Sequence, residues 1–296
     1  MGSPRRRVLI IVNPISGRGD ADRRAREVER GLAQAGCNVR RTVTERAGHA
    51  VELAREAAET GVDAVLVCGG DGTVNETLEG LAGSRTALAQ MPLGTANVLG
   101  HELGLKSASG WVTELMLHGR PRRLDLGRCG TRFFICMASA GFDAYVTQQM
   151  AEVRKGAISY LTYVRPTLKA FWKYPFEPLR VTVDGELVDA PVYSVVVGNT
   201  RSYGAPFTMT PRARPDDGIL DVCTFGGRGR SWLALYMVTT AVPVHQHLAN
   251  VRFFTGRRID VDAASPVAVQ LDGDYKTQTP VSFEVEPDAI TVLSSW

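Results

Sequence analysis

The segment Gly69-Gly70-Asp71-Gly72-Thr73-Val74-Asn75-Glu76 follows the apolar run Val62–Cys68 and opens a helical pattern. Three glycines between a buried strand and a helix start let the backbone approach a ligand closely. Their successive N–H groups form an anion-binding nest. The helix N-terminus behind it adds N–H groups without intrahelical partners and a positive dipole end. Phosphate suits such a turn. Neither Gly-x-x-x-x-Gly-Lys-Ser/Thr nor Gly-x-Gly-x-x-Gly occurs, so this is neither a P-loop nor a dinucleotide fingerprint. Asp71 within the nest would repel phosphate unless a metal ion lies between them. Glu76, three residues after Thr73, completes the pattern of a capping box.

Around this octet strand and helix patterns alternate. Val8–Val12 is a continuous apolar run, as in a parallel strand covered on both faces. Helical spacing from Asp20 to Ala35 ends at Gly36; a strand at Val39–Thr44 and a helix at His49–Glu59 follow. Ala87–Pro92 is a further strand, with helical patterns up to His118. Ligands of parallel sheets bind beyond the carboxyl ends of the strands. There the octet would meet two other turns, Asn13-Pro14-Ile15-Ser16-Gly17 and Pro92-Leu93-Gly94-Thr95-Ala96-Asn97, and the three together read as a nucleotide site. From Leu124 the texture changes to strands: Arg132–Met137, Leu179–Val183, Val192–Val197, Ile219–Phe225, Val267–Leu271 and Val281–Val285. Asp184-Gly185 marks a hairpin, and helices interrupt near Ala144–Trp172 and Ser231–His247. The expected fold is α/β + β: an α/β domain with a largely parallel sheet over 1–125, and a β-rich domain over 126–296.

The chain has 296 residues, 44% hydrophobic and 22% charged, with 34 Lys+Arg against 31 Asp+Glu. That balance excludes a disordered chain and gives no mark of a nucleic-acid binder. Five scattered cysteines without a C-x-x-C argue against a disulfide framework or a structural zinc site and point to a reducing compartment. No apolar run is long enough to span a bilayer, and Arg5-Arg6-Arg7 before Val8–Val12 reads as a strand start rather than a signal peptide. The expectation is a soluble cytoplasmic protein, with peripheral contact at the inner face of the membrane left open. His245 and His247 read as core or surface residues, and the arginines at 5–7, 120–123 and 257–258 as solvated.

The three turns, taken with Ala140-Gly141-Phe142-Asp143, Val197-Gly198-Asn199, Pro211 to Asp221 and Leu271-Asp272-Gly273-Asp274, resemble the diacylglycerol kinase catalytic-domain family. These are bacterial soluble lipid kinases, related to sphingosine and ceramide kinases. The resemblance implies an NAD-kinase-like N-terminal domain for ATP and a C-terminal β-sandwich for lipid and metal. It also implies ATP and Mg2+ as cofactors, with transfer of the γ-phosphoryl group to the hydroxyl of diacylglycerol at a membrane surface. A homodimer is compatible with it. A sphingoid-base or ceramide kinase would share every motif. An NAD kinase would share Gly-Gly-Asp-Gly-Thr without Leu93–Asn97, and a non-catalytic lipid-binding protein would have no need of four placed carboxylates.

Carried over by position, Asn13, Pro14, Ser16, Gly17, Thr44, Gly69, Gly70, Asp71, Gly72, Thr73, Asn75, Glu76, Gly94, Thr95 and Asn97 are nucleotide contacts. Asp217 matches the magnesium turn, with the Arg214 and Ile219 carbonyls beside it; oxygen-only ligation suits that ion. Asp143 and Asn199 are placed on the substrate side, and Asp71 at the phosphate–metal end. Asp274 stands where the family usually has glutamate as proton acceptor, with Asp272 and Asp143 as alternates. Ala144–Trp172 interleaves aromatic side chains with Arg154, Lys155, Arg165, Lys169 and Lys173. Helices lying on a bilayer show this pattern, and so do core-packed ones.

Overall fold

An apolar strand with no polar face must be covered on both sides, and the chain after β1 (Arg7–Val12) supplies that cover. In order come α1 (Ala21–Gln34), β2 (Asn38–Val43), α2 (His49–Glu59), β3 (Ala64–Gly69), α3 (Asp71–Leu81), β4 (Ala87–Pro92), α4 (Val98–Glu102) and α5 (Ser109–His118). Next are β5 (Arg120–Cys129), β6 (Arg132–Phe134), β7 (Met137–Ala140), α6 (Phe142–Val153), α7 (Tyr160–Lys173), β8 (Leu179–Val183), β9 (Glu186–Leu187) and β10 (Ser194–Gly198). The chain closes with β11 (Ser202–Gly204), β12 (Phe207–Thr208), β13 (Leu220–Phe225), α8 (Arg230–Ala241), a 3-10 turn His245–His247, β14 (Val251–Gly256), β15 (Arg258–Ala263), β16 (Ala268–Leu271), β17 (Asp274–Gln278) and β18 (Val281–Ser294). The computed structural model describes residues 6–17, 19–153, 160–204 and 207–295.

Two compact units divide the chain: residues up to Leu124 with those from Asp288 onward, and Asp125–Pro287. In the first, the parallel order is β2-β1-β3-β4-β18. Ala25, Val28 and Leu32 of α1 and Val112 and Met116 of α5 pack on Val8, Ile10 and Leu66. The alternate residues Leu9, Ile11, Val65 and Val67 face the other way and are also buried. α2 and α3 pack closely: a Cβ on Gly80 would lie 2.6 Å from both the Ala54 Cβ and the Val51 carbonyl oxygen. A linear division at 125/126 assigns the C-terminus to the second unit. The structure returns it to the first, because Thr291 and Val292 pair in parallel with Ala87 and Leu88.

The second unit is a β-sandwich, as expected. One layer is the antiparallel order β14-β13-β10-β7-β16-β17; the other contains β15, β8, β9 and the first part of β18. Val195, Val197, Val222 and Val269 from the first layer meet Val181, Ile259, Val261 and Phe283 from the second. Val196 points to the opposite face, with Phe225 and with Tyr236 of α8. The expected strand Arg132–Met137 is two strands, β6 and β7. The helix expected to reach His247 stops at Ala241, two residues before Pro243, which lacks the N–H that a helix needs. His245 is a core residue, fully buried beside Phe225 and Phe253.

Arg5 lies outside the described residues, and some of the other clustered arginines make bonds within the chain. Arg258 bonds Asp260 and Glu284, and Arg123 bonds the Asp288 carbonyl and Thr291.

Candidate active site

β1, β3 and β4 are neighbours, so the turns after them leave the sheet at one edge. Backbone bonds join the turns: Asn13 N–H donates to the Cys68 carbonyl (3.0 Å) and Leu93 N–H to the Gly69 carbonyl (3.1 Å). Thr44 comes to the same edge, its N–H donating to the Val12 carbonyl at 2.8 Å. A Cβ on Gly70 would lie 3.0 Å from the Gly94 Cα, and one on Gly94 only 2.6 Å from the Gly70 Cα. The two turns touch through bare backbone.

The polar side chains here mostly face inward, which changes the reading of several expected nucleotide contacts. Asp71 accepts the N–H groups of Asn97 (2.8 Å) and Val98 (2.7 Å), one on each oxygen. It therefore clamps the start of α4 to the octet, an employment that its expected place at the phosphate–metal end did not foresee. Burial pushes that carboxyl up, and the Val98 and Asn97 amides oppose the shift. Glu76 forms no capping box; α3 begins at Asp71, and the Glu76 oxygens accept from Gly48 N (2.9 Å) and Ala50 N (3.3 Å) at the start of α2. Asn97, at φ 47°, folds its amide back onto Gly94 N and O. Asn13 Nδ2 donates to Thr73 Oγ1 at 2.9 Å.

What remains at the edge is backbone and small side chains. Gly17, Gly72 and Thr95 are exposed, Ser16 and Asn75 are half-buried, and the tip Pro14-Ile15 projects to solvent. A Cβ on Gly72 would have open space around it. First-turn amides of α3 with small neighbours fit a chain of phosphates.

In the second unit, Leu271-Asp272-Gly273-Asp274 is the turn between β16 and β17. Asp272, at φ 48°, accepts three amides: Ile135 N at 2.8 Å, Cys136 N at 2.9 Å and Met137 N at 2.9 Å. Its carboxylate is thus spent on the segment entering β7, which removes it from the proton acceptors. Asp274 begins β17 at the surface, with Lys276 Nζ 3.5 Å from its carboxylate. Asp143 is also withdrawn: Ser139 Oγ lies 2.7 Å from both its oxygens, and Gln270 Nε2 is at 3.3 Å. Burial pushes the Asp143 carboxyl up, against the Ser139 hydrogen bond. Asn199 is fully buried and its Nδ2 donates to the carbonyls of Asp125 (2.9 Å) and Ile135 (2.8 Å). It braces the chain rather than facing a substrate.

The turn from Arg214 to Ile219 is held by Asp125, which sequence reasoning passed over. Asp125 N–H donates to the Pro215 carbonyl and its Oδ2 accepts Gly218 N, both at 2.7 Å. A carboxylate between Leu124 and Leu126 in a strand was the available signal. Asp217 accepts Ile219 N at 3.3 Å; burial raises its pKa, and the charges of Asp125 and Asp216 add to that. Burial and then Asp217 raise Asp221 to about 6. Among the described residues no three His, Cys, Asp or Glu side chains are grouped to hold a metal ion. A cation here would have to draw on carbonyl oxygens as well as Asp217. That all-oxygen donor set, beside the carboxylates of Asp125, Asp216 and Asp221, fits Mg2+.

Asp272→Asn should lower stability by about 1–3 kcal/mol, because an NH2 replaces an oxygen that faces amide donors. Asp71→Asn should raise the KM for ATP by freeing the turn after β4. Thermal unfolding and ATP titrations check both; wild-type behaviour of either variant would refute its assigned role.

Two family models cover most of the chain: the diacylglycerol kinase catalytic domain matches residues 7–129, and the YegS C-terminal NAD kinase beta sandwich-like domain matches residues 136–294. A diacylglycerol kinase of Mycobacterium tuberculosis is 30% identical, aligned over 97% of this chain and 94% of its own. One from Staphylococcus saprophyticus is 26% identical over 94% and 92%. The crystal structure of a diacylglycerol kinase from Bacillus anthracis superposes with a TM-score of 0.77 at 22% identity, covering 99% of this chain and 98% of that one. A parallel-sheet unit and a β-sandwich unit, each matched by a family model, together with a 30% identical relative aligned over nearly the whole chain, show that this chain belongs to the diacylglycerol kinase catalytic-domain family of lipid kinases.

Proposed function

We propose that the protein transfers the γ-phosphoryl group of ATP to the free hydroxyl of diacylglycerol, giving phosphatidate. The observation that carries this reading is the turn Asp272-Gly273-Asp274 itself. Three backbone amides fix Asp272 on one side of Gly273, and on the other Asp274 begins β17 half-exposed, with Lys276 Nζ 3.5 Å from its carboxylate. Phosphoryl transfer demands little covalent chemistry from a protein beyond positioning, charge neutralisation and a carboxylate to orient the hydroxyl and take its proton. In this reading the α3 amides and the Asn13–Gly17 and Gly94–Asn97 turns hold the phosphates. Asp274 accepts the lipid hydroxyl's proton. Asp217 with the Arg214 and Ile219 carbonyls would hold Mg2+, which supplies positive charge and stiffens the turn.

Asp274→Asn should lower kcat by about 10²–10⁴-fold, the range for losing a general base, with the KM for ATP nearly unchanged. Asp274→Glu should keep substantial activity. Radiolabelled ATP with diacylglycerol, sphingoid base and ceramide in mixed micelles, followed by product chromatography, reads both the variants and the acceptor. Phosphatidate as the sole product supports the proposal; phosphorylated sphingoid base or ceramide alone would overturn the acceptor assignment.

Magnesium should raise the melting temperature of the wild type. Asp217→Ala should abolish that shift, and an undiminished shift in the variant would remove Asp217 from the metal site.

Access to a membrane-borne lipid has a candidate surface on α7 and α8. No helix among the described residues is long and apolar enough to cross a bilayer. Yet Trp172 is 65% exposed, and Leu168, Trp232, Val238 and Val242 are exposed with it. Arg230 lies 5.3 Å from the Trp172 ring centroid and donates to the Trp172 carbonyl. Lys169 and Lys173 flank the patch, and neither helix contains a carboxylate. Arg154 and Lys155 lie outside the described residues. Basic side chains around exposed aromatic and aliphatic ones suit an anionic bilayer surface at the inner face of the membrane. Trp172→Ala with Lys169→Glu should weaken sedimentation with anionic vesicles and spare turnover of a short-chain soluble diacylglycerol. Equal losses on both would return the helix to a core-packing role.

A further inference from the structure

Gln270 is fully buried in β16, and its side chain is employed at both ends. Its register partner in β7 is Ser139, so the two side chains share a face of the sheet. Gln270 Nε2 lies 3.0 Å from Ser139 Oγ and 3.3 Å from Asp143 Oδ2. Its Oε1 accepts the N–H of Gly273 at 2.7 Å. That amide belongs to the residue between Asp272 and Asp274, at the apex of the turn, where Gly273 has φ +84°. β16 and β17 pair up to the turn, Gln270 with Tyr275 and Leu271 with Asp274, and the register shifts just beyond, between Val269 and Gln270, so Gln270 stands where the regular ladder is interrupted.

We infer that Gln270 is a positioning residue for phosphoryl transfer. Anchored by Ser139 and Asp143, it holds the Gly273 amide and thereby sets where Asp274 stands. Asp272 fixes one side of the turn through the Ile135–Met137 amides; Gln270 fixes the other. Asp143 is in the first turn of α6, which packs against β16 and β17, so the anchor is itself carried by a rigid element. Tyr203 adds a hydrogen bond to the same carboxyl. Every polar atom in this chain of contacts has a partner, as a buried polar network requires if it is to hold one geometry. Gly141 permits the arrangement, since a Cβ there would lie 2.5 Å from Ser194 Oγ and 2.8 Å from its Cα.

The inference rests on Asp274 being the proton acceptor, and the test separates the two. Gln270→Met keeps the length of the side chain and removes all three of its hydrogen bonds. It should lower kcat by about tenfold to a hundredfold, the scale of a misplacement near 1 Å, with the KM for ATP changed less than about twofold. The paired exchange Gln270→Glu with Asp143→Asn returns one carboxylate, one amide and an acceptor for Gly273 N–H. It should recover most of the kcat lost in Gln270→Met, and it serves as the deciding variant if Gln270→Met does not fold. All variants are assayed with ATP and diacylglycerol in mixed micelles, beside Asp274→Asn and a thermal melt. Wild-type kcat in Gln270→Met would overturn the positioning role, as would a fall in kcat matched by an equal rise in KM. A paired exchange as inactive as Asp274→Asn would do the same. Wild-type turnover in Asp274→Asn would instead remove the reading on which it rests.

Discussion

The contact on which the candidate nucleotide edge depends is between two glycines with nothing between them. Gly70 and Gly94 bring the turns after β3 and β4 together so closely that a single Cβ on either would strike the other's Cα. That approach puts Asp71 within reach of the Asn97 and Val98 amides and lets Leu93 bond back to Gly69. The acidic residue of the octet is therefore a fastening between turns. Charged hydrogen bonds of this kind contribute about 1.5–3 kcal/mol each, enough to keep a short helix such as α4 in place. With the side chains turned inward, the outer surface of the edge is left to backbone amides, which a phosphate needs and a carboxylate would spoil.

The second unit solves a similar problem with the same chemistry. A carboxylate at the head of a turn, Asp272, gathers three consecutive amides of the chain entering β7. Consecutive N–H groups converging on one anion form a nest built from within the protein. The neighbouring Asn199 and Asp125 fasten the same region to the Arg214–Ile219 turn. Candidate metal turn and candidate proton acceptor thus share a framework whose rigidity comes from side chain-to-backbone bonds rather than from regular pairing.

Burying carboxylates is costly unless their oxygens are satisfied. Asp71 and Asp143 both carry raised pKa values from burial, and each is opposed by hydrogen bonds that favour the charged form. At Asp217 and Asp221 carboxylate neighbours add to burial, while the Ile219 amide and Arg214 oppose the shift at Asp217 and Arg212 opposes it at Asp221.

The sequence by itself determined the layered architecture and the location of the turns. Apolar runs such as Val8–Val12 and Ala87–Pro92, and the glycines Gly36 and Gly61 after the first two helices, are local signals written within a few residues. It also marked the octet and Leu93–Asn97 as a candidate site, because glycine-rich turns after apolar strands are a property of the chain, while Leu271–Asp274 stood out only by its resemblance to the family's motif. β14 and β15 were not legible, since Arg252, Arg258, Asp260 and Asp262 break their apolar pattern to one inward face. Only the tertiary structure decided which acidic residues are fastenings and which face outward. Asp272 and Ile135 are 137 residues apart, and Gln270 and Ser139 are 131 apart. No local window contains both partners of such a bond, so the employment of each carboxylate is set by packing alone. The same reason returns the chain's end to the first unit: Thr291 pairs with Ala87 although the whole sandwich lies between them in sequence.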